Sequence, residues 1–133
     1  MLRHRKLTEW EGKLKEIFDE IDDYVEDSYG RLYPLHPSRS KRGGTSNKEE
    51  DGLFNIGASY SAGFGSEHGA GYVIEVRVAT LENVEESVRS RIENDIVRML
   101  NQKLDKAFPG KKLKAEKDGP VYKIHGDISL GTV

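Results

Sequence analysis

Two long stretches carry apolar residues at helical spacing, and each is followed by a pair of shorter stretches in strict alternation. In the first, Leu7, Trp10, Leu14, Ile17, Phe18, Ile21, Tyr24 and Val25 follow the i, i+3, i+4 rule and mark one stripe of an amphipathic helix. Thr8 with Glu11 three residues on is a capping-box pair, and Gly30 is a stop suited to a left-handed backbone, so the expected span is 8–29. Phe54, Ile56, Ala58 and Tyr60 then alternate with polar or small residues, as do Tyr72, Ile74, Val76 and Val78. A second helical stripe runs from Val84 to Phe108, with Asn83 and Glu86 as its cap and Pro109-Gly110 as its end. Leu113 and Ala115, then Tyr122, Ile124 and Ile128, outline a second hairpin turning at Asp118-Gly119.

The order α-β-β-α-β-β predicts a two-layer α+β sandwich, a four-stranded and mostly antiparallel sheet with both helices on one face. A chain of 133 residues is one domain's worth and long enough to bury a core without staples. There is no Cys, which excludes disulfides, Cys-ligated zinc, iron–sulfur clusters and thiol chemistry. No stretch approaches the roughly 20 apolar residues of a membrane span, so a soluble, cytoplasmic protein without membrane contact is expected. The second face of the sheet would show Asn55, Ser59, Glu75, Arg77, Lys114, Lys123, His125 and Asp127, a solvated or lightly covered surface.

Charge is sorted along the chain. Residues 9–29 hold nine acids against Lys13 and Lys15, a balance of -7, while 31–48 hold Arg31, Arg39, Lys41, Arg42 and Lys48 with no acid, a balance of +5. The basic segment lies in the irregular stretch 31–52, where Pro34 and Pro37 exclude regular helix and Gly43 and Gly44 favour turns. His36, Arg39, Lys41, Arg42, Thr45 and Ser46 offer the guanidinium, ammonium, imidazole and hydroxyl donors that phosphate recognition uses. Folding of this segment back on the acidic helix, each neutralising the other, accounts equally for the same charges, and so does disorder.

The run 63–71 contains Gly63, Gly65, Gly69 and Gly71, with Ser66 and His68 among them. It precedes a strand, which excludes the dinucleotide fingerprint, since that motif needs a following helix. A glycine-rich hairpin tip still offers backbone N–H groups as an anion nest.

Other chemistries have weaker support. Metal binding would draw on His36, His68 and His125 with an acid such as Glu67, but no recognised ligand spacing occurs, and neither a metal nor another cofactor is expected. Asp19, Asp22, Asp23 and Glu26 share one helical face, a pattern that reads as solvated. A pI near 6.1 argues against nucleic acid as a partner. A hydrolase assembled from Ser66, Glu67, His68 and His36 is a third choice. The expected function is therefore a small binding domain that takes an anionic, phosphate-bearing ligand through 36–48 and 63–71. The alternative is a homodimeric interaction module, its second sheet face made apolar by Leu53, Val73 and Val121.

Overall fold

The computed structural model describes residues 5–45 and 50–126. Two helices, α1 (Arg5–Tyr29) and α2 (Glu86–Ala107), cover one face of a sheet built from β1 (Phe54–Ser61), β2 (Gly71–Val78), β3 (Lys114–Asp118) and β4 (Val121–His125). The sheet order is β1-β2-β4-β3 and every pairing is antiparallel. This is the α+β arrangement that the two helix–hairpin repeats predict.

Register explains which residues form the core. Phe54, Ile56 and Ala58 stand opposite Val78, Val76 and Ile74, and Tyr72 stands opposite Ile124, so the apolar alternation of three strands falls on one face. The stripes of both helices bury against it. Ile21, Val25, Ile92, Ile96, Leu100 and Leu104 are fully enclosed with Phe54 and Ile124. Trp10 packs on Phe108 at 4.6 Å and on Tyr72 at 5.6 Å between ring centroids, closing one end of the core. Tyr29 donates its hydroxyl to Asp95, and Lys103 pairs with Glu20, which ties the helices to each other outside the core. That bond to Asp95 pushes the Tyr29 phenol up to about 12. At the sheet's edge, Asn101 of α2 accepts from the Ala115 N–H at 2.8 Å and donates to its carbonyl at 3.0 Å, satisfying a strand that has no further neighbour.

Local details depart from the sequence expectations in four places. α1 begins before Thr8, which lies inside the helix and is no cap, because the preceding Arg, Lys and Leu are good helix formers. Gly30 ends α1 by donating its N–H to the Glu26 carbonyl at 2.8 Å, but without a left-handed backbone. α2 starts at Glu86 rather than Asn83; Glu85 is its extended N-cap and makes no side-chain cap bond. The second hairpin turns at Gly119-Pro120, because Asp118 still pairs with Val121 as part of the ladder. Ile128 and Asp127 lie outside the described residues.

Candidate functional site

Both segments singled out by charge and glycine content are built around a carboxylate of the chain itself. In the basic loop that carboxylate is Asp51. The N–H groups of Gly43 and Thr45 donate to its Oδ2 at 3.1 and 3.2 Å, the Thr45 hydroxyl donates at 3.3 Å, and Arg42 Nη1 donates to Oδ1 at 3.2 Å. Although burial opposes it, these donors hold the Asp51 carboxyl below its usual range.

Arg42 also reaches back to α1. Its Nη2 donates to Asp23 Oδ1 at 2.6 Å, and its Nη1 lies 2.7 Å from Asp22 Oδ1. Asp22 is buried, so the expectation of a solvated acidic face fails there: Asp22, Asp23 and Glu26 form the surface on which the loop docks, while Asp19 pairs with Lys15 of the same helix. Burial pushes the Asp22 carboxyl up to about 7 against the attraction of Arg42, helped by the like charges of Glu26 and Asp23. Glu26 completes the seam by accepting the Leu53 N–H at 2.8 Å. Gly52 sits directly on that carboxyl, with φ of +76° and no room for a Cβ, which would fall 2.7 Å from the Glu26 carboxyl atoms. Arg39 faces the other way and donates to three backbone carbonyls, of Asp51, Gly52 and Phe54, each at 3.0 Å. Arg42 thus ties the basic loop to the acidic helix. Lys41 is exposed, and Ser46 lies outside the described residues.

The glycine-rich tip, residues 62–70, repeats this logic with Asp118. It folds back across the second sheet face, so around Lys123 that face is covered rather than solvated. Asp118 accepts the N–H of Glu67 at 2.9 Å and of His68 at 3.0 Å, so the anion nest of the tip exists and this carboxylate fills it. Lys123 lies beneath, with 2% of its side chain exposed, and directs its ammonium to Asp118 at 2.9 Å, Gly69 O at 2.8 Å and Ser66 Oγ at 3.0 Å. Three donors meet three acceptors, which is what allows a lysine to be buried. The hydrogen bond from Lys123, with the two backbone donors, holds the Asp118 carboxyl far below the usual range. The Ser66 hydroxyl donates to Gly63 O at 2.7 Å, so it is a bracket of the turn. Gly63, at φ +78°, approaches Gly69 so closely that a Cβ would lie 2.1 Å from its carbonyl, whereas Gly65 meets nothing.

Two surfaces remain turned outward, at opposite ends of the β1–β2 hairpin, about 25 Å apart along eight residues of strand. At the loop end, a cleft of about 420 Å³ is lined by His36, Ser38, Arg39, Ser40, Asn55, Arg77 and Thr80, with Glu50 as its one carboxylate. The His36 ring is oriented by Ser38, whose N–H donates to Nδ1 at 3.1 Å; the neutral ring therefore carries its proton on Nε2. At the tip end, His68 stacks on His125 with centroids 4.2 Å apart and planes 6° from parallel, and Glu116 Oε2 lies 2.7 Å from His125 Nε2.

The structure brings Arg39 together with His36, and Gly63 with Ser66, but it does not join the loop and the tip in one surface. His36 lies far from His68, and the Ser66 hydroxyl faces Lys123, so the Ser–His–acid set is not assembled. Leu53 is buried in the core, and Val73 and Val121 are half-buried, lining a cleft beside the tip. Arg77, Lys123, Asp118 and Glu116 were missed as site residues. Strand alternation was the available signal, since it places Lys114, Glu116 and Asp118 on the face that carries Lys123 and His125. Among the described residues, no helix is long and apolar enough to cross a membrane.

Comparison with known proteins covers nearly the whole of this framework. A family model described as "Uncharacterised protein" matches residues 5–126, a span that includes both loops, both outward surfaces and every helix and strand. A curated protein of Borreliella burgdorferi, described as "Uncharacterized protein", is 35% identical over 121 residues, covering 91% of this chain and 94% of its own length. No solved structure matches significantly. The chain belongs to this uncharacterised protein family.

Proposed function

We propose that the chain is a small binding domain that takes an anionic, phosphate-bearing ligand in the cleft between the basic loop and the open sheet face. The observation that carries this reading is the lining itself. Arg77 and the Nε2–H of His36 line the cleft with the hydroxyls of Ser38, Ser40 and Thr80 and the amide of Asn55 around about 420 Å³, within the range of small-ligand sites, while Arg39 anchors the loop wall through its backbone bonds. Arg77 is exposed and has no hydrogen-bond or ion-pair partner among the described residues. Arg42, Thr45 and the tip glycines leave the ligand-binding set, because they hold Asp51 and shape the turn.

Thermal-shift measurements at low salt with inorganic phosphate and phosphorylated nucleotides test this. A ligand present at about 100 times its Kd stabilises by about 2.7 kcal/mol. Arg77→Ala should abolish the shift, while Lys41→Ala, which alters the same loop's charge outside the cleft, should leave most of it. No shift with any phosphate compound, or an equal shift in Arg77→Ala, would overturn the reading.

A further inference from the structure

We propose that His68, His125 and Glu116 form a binding site for one divalent first-row transition-metal ion, zinc above all. The site is separate from the anion cleft and does not depend on it. One candidate ligand atom from each residue lies within 4.8 Å of those of the others, with 2.7 Å from Glu116 to His125 Nε2 and 3.8 Å from Glu116 to His68 Nε2. Tetrahedral ligands held about 2.0–2.2 Å from one zinc ion stand about 3.4 Å apart, so Glu116 must back away from its hydrogen-bond contact with His125 while His68 closes on it, movements of less than about 1 Å.

The fold fixes all three positions. Glu116 pairs with Lys123 and His125 with Lys114, so Glu116 and His125 are diagonal neighbours on one face of β3–β4. His68 arrives from 50 residues away because its own N–H is held by Asp118, which Lys123 anchors. The position of the His68 backbone is therefore set by a buried ion pair. The side chains are 19–32% exposed, so an ion can reach them from solvent while they remain ordered.

Donor chemistry selects the ion. Two imidazoles and one carboxylate suit zinc and its late first-row neighbours; calcium and magnesium prefer all-oxygen sites, and copper(I) prefers sulfur. Three protein ligands leave a position for water. Loading requires three further small changes. A metal lies in the plane of each imidazole that binds it, so the parallel stack must open, His68 turning about its ring bond. The His125 ring proton moves, through solvent, from Nε2 to Nδ1 as the bond to Glu116 is replaced by one to the metal. Lys114, whose ammonium lies 3.8 Å from Glu116 and is well exposed, swings away.

The test is calorimetric titration of the tag-free protein with zinc in a non-chelating buffer, with cobalt(II) absorption as a second readout. One ion per chain is expected, with cobalt bands of a four- or five-coordinate nitrogen–oxygen site. His125→Ala and Glu116→Gln should each weaken zinc by about 100-fold or more. Lys114→Ala keeps every ligand and removes a competing cation, so it should tighten zinc by about 2- to 5-fold, the effect of one exposed ion pair. Circular dichroism identifies any ligand variant that fails to fold, and the Lys114→Ala arm then decides alone. Absence of binding by wild-type protein below millimolar zinc overturns the proposal. So does affinity unchanged in a His68→Ala/His125→Ala double variant, or in Lys114→Ala.

Discussion

The basic loop and the glycine-rich tip both carry anion-binding chemistry, and both direct it to an aspartate of the same chain, yet they are built differently. Asp51 is held mostly by near neighbours: Gly43, Thr45 and Arg42 lie within nine residues of it, and Arg42 is shared with Asp22 and Asp23 of α1. Asp118 is held by Lys123 beneath and by two N–H groups some 50 residues away. The loop is a redundant seam in which several contacts oppose one another in charge. The tip converges on one buried ion pair, Lys123 with Asp118. One lost contact should therefore cost little in the loop and much in the tip.

The largest effect is expected at Lys123. Lys123→Met removes the cation from Asp118, Ser66 Oγ and Gly69 O at once, so the tip loses three contacts and this should be the larger loss of the two, as breaking a buried pair from one side is. Arg42→Ala should cost less, about 1–2 kcal/mol, because Asp51 keeps two backbone donors and one hydroxyl. Urea denaturation of both variants measures the contrast. Amide exchange at Glu67 and His68 should accelerate in Lys123→Met alone. Equal losses in the two variants would break the comparison.

Two glycines sharpen it further. Gly63→Ala places a Cβ against backbone, the Gly69 carbonyl, which cannot move without opening the tip; a cost of about 2–3 kcal/mol is expected. Gly52→Ala meets the end of the Glu26 side chain, which can rotate, although at φ +76° the new residue is still strained. About half the cost is expected there, read as the difference in Tm between the two variants. A larger loss in Gly52→Ala would mean that the Glu26 seam is as rigid as the tip.

The layered fold was legible because it rests on periodicity, which is local. Trp10 to Val25, Phe54 to Tyr60 and Tyr72 to Val78 each state their own element and face. The loops were not legible in the same way. A +5 segment beside a -7 helix has the same composition whether its charges meet each other or a ligand, and only the path of the chain distinguishes the two. Arg42 between Asp22 and Asp51 is a matter of distance in space. Lys123 shows the limit most clearly: alternation puts it on the open face, and nothing local says that a tip from residues 62–70 will cross over it. His68, Glu116 and His125 were each visible as polar residues, but the tip's return brings the first to the other two. The spacing rules for metals that help in short motifs have no purchase on such a set.

Protonation offers the finest division between the loops. For Asp51 and Asp118, folding lowers the carboxyl's proton affinity, so each contributes stability above the usual carboxylate range and loses it as pH falls through the lowered value. Asp22 runs the opposite way. Its folded form keeps a proton up to about pH 7, while the unfolded chain releases it near 3.8, so its contribution is full below 3.8 and is lost as pH rises toward 7. Asp22→Asn should therefore be indistinguishable from wild type near pH 4 and more stable at pH 8, with the difference opening between those limits. Urea midpoints of both proteins across that range check it. A variant less stable at pH 8 would show that the Arg42–Asp22 attraction outweighs the burial of the carboxyl, making the seam an ion-pair lock of the same kind as Lys123–Asp118.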